Sequence, residues 1–294
     1  MKRTLYVYSI DVQPVSEKKV LNLESLEDDF ITVITKLCQQ PIMMRKQDCK
    51  REKKIIYLDE YEYIKENGII NLKFISAKYD CRRKVIDTET LEDKGILKKV
   101  NDGDEEKNHV CIKFLEDNTA FCLYETNIDG IGFRKIMHYL EKCIKNYHRS
   151  KKDGCYYNLP YANIVSKDFL LSLNKIQKIK AVTLTIDQKD VNVSDFKELS
   201  GTNDISSDYN IVLKPASVIG IQKNTVKKFF AAYNSKNKII KKVTVNGDGE
   251  SKEPIQFDTE KMKEKIIIEV STGETGEVNT RDIFDIMFTE ILGL

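Results

Sequence analysis

The sequence predicts an α+β protein, with two mixed domains built from antiparallel sheets and packed amphipathic helices. Three observations carry this. Apolar residues make up 41% of the 294 residues, enough to bury a real core. Short runs rich in Val, Ile, Thr and Tyr are interspersed with stretches whose apolar residues recur at helical spacing. A local unit of two strands and a helix is legible between residues 110 and 147.

Taken in order, residues 4–10 read as a strand, rich in Tyr, Val and Ile. Ser25-Leu26-Glu27-Asp28 matches a capping pattern, and Leu26, Phe30, Val33 and Leu37 then recur as one helical face. Pro41 ends that helix, and the polar stretch 45–54 reads as a loop. Strand signals return at 55–58 and 69–75. The acid-rich stretch 84–108, with the turn cluster Asn101-Asp102-Gly103-Asp104, predicts a long solvated connection. Residues 110–115 and 119–124 flank Asp117-Asn118 as a β-hairpin. A turn at 127–132 then leads into a helix with Phe133, Ile136, Leu140, Ile144 and Tyr147 on one face.

Lys151-Lys152-Asp153-Gly154 reads as a linker, giving domains at 1–150 and 151–294. The second half predicts a helix at 167–178, a strand at 181–186, a polar loop at 187–208, a strand at 209–213 and a helix at 224–234. Strands at 238–245 and 265–270 follow, with Asn246-Gly247-Asp248-Gly249 as a loop or turn. A last helix spans 281–292 with Thr280 as its N-cap. There is no internal repeat.

Composition excludes several function classes. With 48 basic and 46 acidic residues the net charge is +2, so any pull toward nucleic acid must come from local patches. The cysteines, Cys38, Cys49, Cys81, Cys111, Cys122, Cys143 and Cys155, are seven in number, and no two form C-x-x-C. That argues against a zinc ribbon or disulfide scaffold and predicts reduced thiols in the cytoplasm. The apolar run after Met1-Lys2-Arg3 stops at Ser9, too short for a signal peptide, and no stretch approaches the about 20 apolar residues of a membrane span. Membrane insertion is therefore not expected.

The principal binding candidate is the lysine cluster Lys223, Lys227, Lys228, Lys241 and Lys242, with Lys236 and Lys238 between. No acid interrupts residues 222–242. Clustered cations displace counterions from phosphates, although the same pattern also makes an ordinary solvated face. Val226, Phe229, Phe230 and Tyr233 recur at i, i+3, i+4 and i+7, which marks them as core rather than stacking groups. Residues 220–229 resemble the turn and second helix of a helix-turn-helix, but Pro215 crowds the first helix. A second basic stretch holds Arg134, Lys135, Lys142, Lys145, Arg149, Lys151 and Lys152 with His138 and His148, and reads as a basic outer face.

The sequence offers two catalytic patterns. Arg134 and His138 stand one helical turn apart, closer than the Arg and His of RNA-cleaving HEPN helices. Asp168, Asp187 and Lys189 offer two carboxylates for Mg²⁺ and a lysine to polarise phosphate, as in PD-(D/E)xK nucleases. His109, His138 and His148 are too widely separated to form a metal triad. No phosphate loop, nucleophile elbow or zincin motif is present. No catalytic residue, cofactor or metal is therefore assigned.

From Leu72 to Tyr147 the order of elements is distinctive: a strand ending in Ile75-Ser76-Ala77-Lys78-Tyr79-Asp80-Cys81-Arg82-Arg83, an acidic connection, the hairpin, then Tyr124-Glu125-Thr126-Asn127-Ile128-Asp129-Gly130-Ile131-Gly132 and the amphipathic helix. This resembles a loose group of bacterial proteins of prophages, mobile elements and anti-phage defence loci. More distantly it is similar to the DNA-binding B subunit of the Kiwa defence system. The resemblance implies a non-enzymatic role in phage–host conflict, with DNA or a partner protein of a defence system as the ligand. Two alternatives stay open: the metal-dependent nuclease, and a protein-binding scaffold with the acidic connection and lysine faces as rim. Oligomer formation is left open as well.

Overall fold

The computed structural model of the protein describes residues 1–14, 26–80, 82–115, 118–151, 157–164, 168–187, 208–217, 219–233, 240–259, 262, 264–274 and 276–294. The chain divides into two units, Met1–Ala162 with Lys265–Leu294, and Asn163–Glu264. Both are α+β, and every registered strand pairing is antiparallel.

The first unit opens with β1 (Lys2–Asp11) and the short β2 (Gln13–Pro14). Helix α1 (Leu26–Cys38) buries Leu26, Phe30, Val33 and Leu37, the face set by sequence periodicity, and α2 (Ile42–Arg45) follows Pro41. Strands β3 (Gln47–Cys49), β4 (Lys54–Ile64) and β5 (Ile69–Lys78) come next, the last two joined by a 3₁₀ turn that Gly68 closes at φ +61°. A small hairpin of β6 (Val85–Ile86) and β7 (Asp93–Gly95) leads to β8 (Asp104–Phe114) and β9 (Thr119–Thr126). The unit continues with α3 (Phe133–Lys151), β10 (Tyr157–Asn158) and β11 (Tyr161–Asn163).

The second unit contains α4 (Asp168–Lys175), β12 (Lys178–Asp187), β13 (Asp208–Leu213), α5 (Lys223–Tyr233), β14 (Ile240–Asp248) and β15 (Pro254–Asp258). Its sheet runs β13-β12-β14-β15. Phe169 and Leu173 of α4 and Val226 and Tyr233 of α5 pack on Val182, Leu184, Val243 and Val245. The chain then returns to the first unit as β16 (Lys265–Glu269), paired with β1, and α6 (Thr280–Leu292).

The large sheet of the first unit runs β11-β1-β9-β8-β5-β4-β3, with β16 also on β1. Strands alternate two faces. Ile10, Ile70, Leu72, Val110, Ile112, Cys122 and Tyr124 share a core with α1 and α3. Residues of opposite parity, including Leu5, Val7, His109, Cys111, Leu123 and Glu125, are buried as well, and α6 lies along β8 and β9. The central strands therefore bury both faces, which explains their nearly unbroken apolar runs.

Several expectations change. The domain division differs from a single cut at residue 150, because the first unit takes back the last thirty or so residues of the chain. The stretch 45–54 contains β3, part of α2 and the start of β4, and 84–108 contains a hairpin and the first residues of β8. The helix near 167–178 stops at Lys175, so that β12 starts at Lys178. Asn246, Gly247 and Asp248 belong to β14: a Cβ at Gly247 would lie 2.4 Å from Lys178 O, so glycine permits the close pairing. The N-cap of α6 is Asn279, whose side chain accepts from the Arg281 and Asp282 amides. The polar loop at 187–208 falls almost wholly, and Ser25 and Lys152–Gly154 entirely, outside the described residues. Among the described residues no helix is long and apolar enough to cross a membrane.

Candidate nucleic-acid interface

The lysine cluster lies in the second unit. Val226 and Tyr233 are buried, and Phe230 stacks on Phe169 with ring centroids 4.6 Å apart, so the aromatic stripe is core as its spacing implied. Lys227 and Lys228 are exposed on α5. The other three lysines have partners within the unit. Lys223 Nζ donates to Asn174 O at 2.9 Å, satisfying a carbonyl at the end of α4. Lys241 Nζ is 2.6 Å from Asp208 Oδ1, and Lys242 Nζ is 3.7 Å from Oδ2 of the nearly buried Asp258. Lys236 and Lys238 lie outside the described residues. The carboxylates beside Lys241 and Lys242 cancel much of the field a phosphate would meet, and Lys223 is held on a carbonyl, so the sequence cluster contracts chiefly to Lys227 and Lys228. Gly220 precedes α5 at φ +95°, with its own neighbour Ile221 bonded to Ile179 O, and what comes before it is β13. Among the described residues just before Gly220 there is no first helix of a helix-turn-helix.

Helix α3 in the first unit presents a stronger surface. Phe133, Ile136, Met137, Leu140 and Ile144 face the core. Arg134, His138, Lys142 and Arg149 are exposed, and Lys145 is partly so. At about 100° per residue these five fall within an arc of about 80°, along about 22 Å of helix. The one acid on α3, Glu141, is turned aside and accepts from Leu159 N at 2.9 Å. Lys135, off the stripe, pairs with Glu52 at 2.8 Å, and that ammonium holds the Glu52 carboxyl below its ordinary range.

Beside this stripe a groove of about 300 Å³ opens between α1, α2 and α3. Its floor includes Val33, Leu37, Cys143 and Tyr139; Lys36, Lys46 and Lys142 stand among its lining, with Gln40, Gln47 and Asn146. Tyr139 donates to Arg45 O at 2.8 Å and accepts from Leu58 N at 3.3 Å, and burial raises its phenol, keeping it a neutral donor. Arg45 Nη1 donates to Leu58 O and Asp59 O, both at 2.8 Å. These bonds fix α2 against β4 and α3, so the groove has a rigid wall. The α3 cations are legible in the sequence but the groove is not, because its residues come from two stretches, 33–47 and 139–150, about ninety positions apart.

The remaining candidates fare differently. Arg134 and His138 belong to the exposed stripe. Asp168 opens α4, Asp187 closes β12, and Lys189 lies outside the described residues. His148 Nε2 is 3.0 Å from Asp29 Oδ2. His109 is fully buried, with Nδ1 2.6 Å from Glu125 Oε2 and Nε2 3.1 Å from Thr280 Oγ1. Arg3 Nε lies 3.3 Å from Glu125 Oε1. With no exposure at His109, this constellation ties α6 to the sheet.

No protein-family model matches the chain, and no curated protein is significantly similar to it.

Proposed function

We propose that this chain is a non-catalytic nucleic-acid-binding component, and that its principal contact is the cationic stripe of α3. The observation that carries this is the alignment of Arg134, His138, Lys142, Lys145 and Arg149 on one solvent-facing arc of α3, with the helix's one acid, Glu141, bonded elsewhere. A row of cations about 22 Å long is long enough to meet several phosphates of a nucleic-acid backbone. Lys227 and Lys228 of the second unit form a second, smaller contact. The likeness of residues 72–147 to prophage and defence proteins supplies the setting: a cytoplasmic phage-defence or mobile-element system.

Fluorescence anisotropy against salt concentration tests this. Arg134→Glu/Arg149→Glu should weaken binding to all DNA sequences and lower the salt slope by about 1.8, two contacts at about 0.9 each. The reading fails if the wild-type chain shows no salt-dependent binding to DNA or RNA, or if the double reversal leaves affinity and slope intact.

A second reading, a protein-binding scaffold, is favoured by one observation. The stretch around β6 and β7 exposes Ile86, Leu91, Ile96, Leu97 and Val100, each between 53% and 74%.

A further inference from the structure

We infer that the groove between α1, α2 and α3 receives an unpaired nucleotide of the bound nucleic acid, an inference that rests on the stripe of α3 being the backbone contact. Three features argue for it. The first is charge: Lys36, Lys46 and Lys142 stand in the lining and no carboxylate does, so an anionic occupant fits and an acidic wall would not repel it. The second is chemistry. Gln40, Gln47 and Asn146 each offer an amide that both donates and accepts, the complement of a base edge. Between them the floor is apolar, with Leu37 and Cys143, and Tyr147 adds an aromatic surface with the Lys151 ammonium 4.3 Å from its centroid.

The third is continuity. On α3 the stripe occupies one arc of the helix and the groove the next, and Lys142 and Asn146 stand at their border. A strand whose phosphates run along Arg134, Lys142 and Arg149 therefore passes the mouth of the groove, and one of its bases can turn in. The base of a perfect duplex is held in its stack and has to be extruded first, whereas an unpaired base enters freely. The groove is also at the small end of ligand pockets, suited to one nucleotide and short for the row of anchors that a docked helix needs.

The experiment uses the full chain and three labelled probes of equal length: a perfect duplex, a duplex with a one-nucleotide bulge, and a single strand, the unpaired base replaced by 2-aminopurine in a parallel set. The bulged and single-stranded probes should bind about tenfold more tightly than the duplex, the scale of one stacked base. The 2-aminopurine emission should change on binding. Asn146→Trp fills the groove from an exposed position, and Gln40→Trp does so from the turn after α1. Either should abolish the preference and the emission change, while duplex affinity and its salt slope stay within about twofold. Equal binding of all three probes with an unchanged emission overturns the groove and leaves the stripe standing. No binding to any probe overturns both. A poly-glutamate peptide that binds the wild-type chain but not Asn146→Trp, in the absence of any preference among the nucleic acids, reassigns the groove to an acidic protein and equally refutes the inference.

Discussion

Glu125 carries an unusual load for one side chain. It is 1% exposed, and its two oxygens meet His109 Nδ1 and Arg3 Nε, while His109 passes the contact on to Thr280 of α6. Removing one member of a buried charged pair leaves the other desolvated and uncompensated, which costs far more than losing an exposed pair. Glu125→Ala should therefore destabilise the chain by about 3 kcal/mol or more in urea unfolding. Glu277→Ala, which breaks the more exposed pair with Lys107 at 2.5 Å, should cost less than about 1 kcal/mol. Equal costs would mean that the His109 constellation is not the tie between α6 and the sheet. The thiols answer to the same logic of burial. Burial pushes the Cys111 and Cys143 thiols up to about 12, and raises that of the fully buried Cys122 well above its ordinary value. A thiolate is the reactive form, so at pH 8 these three should resist a disulfide reagent in the native chain. In denaturant all seven cysteines of the sequence should react, and a lower count would reveal a disulfide.

At the scale of the element, the hairpin of β6 and β7 depends on its turn. Asp87 accepts from the amides of Glu89 and Thr90 at 3.0 and 3.1 Å, and pairs with Lys94 at 2.5 Å. The Lys94 bond first, then the two amides, lower its carboxyl to about 2. A carboxyl whose folded value lies below its ordinary 3.8 stabilises fully above that pH and ceases to do so as pH falls through the folded value. The amides of Glu89 and Thr90 should thus hold their protected positions at pH 5 and lose them between about pH 4 and 2 in NMR exchange spectra. Asp87→Asn should loosen them at all pH values. Such local turns were legible in the sequence only as composition. What was legible in detail were elements with strong period: α1, α3, α5 and the β8–β9 hairpin, each fixed by its buried stripe. Residues whose role depends on distant partners were not. Thr280 looks like a cap until His109 is beside it, Lys241 and Lys242 look free until Asp208 and Asp258 are, and Asn246-Gly247 looks like a turn until Ile179 and Ala181 pair across it. The candidate interface divides the same way. The cations of α3 are visible on one line of sequence, but the groove beside them exists only once α1 and α2 have packed.

At the scale of the whole chain, the residues of the second unit are inserted between two stretches of the first. The chain leaves the first unit after Ala162 and re-enters it at Lys265, and within the second unit its two ends are bonded to each other: Glu264 N donates to Ile164 O at 2.7 Å. Sequence gives no mark of such an arrangement, because the returning strand and helix look like the end of the second domain. Yet they complete the first. β16 pairs with β1 from Lys2↔Glu269 to Tyr6↔Lys265, and α6 buries Ile283, Phe284, Met287 and Ile291. At about 1.5–3 kcal/mol per buried side chain, those four alone are worth as much as the net stability of an ordinary domain. A chain ending at Ala162 should therefore fail to give a cooperative thermal transition. Replacing residues 165–263 by a short Gly-Ser linker should restore one, since the joined ends already touch and an inserted domain can be removed where its ends are close. That shortened chain keeps α3 and its stripe, so it should also keep most of the salt-dependent DNA binding, losing only the share of Lys227 and Lys228. Circular dichroism on the two deletions decides the folding claim. A chain ending at Ala162 that melts cooperatively on its own would refute it, and a folded linker variant that no longer binds DNA would move the interface to the second unit.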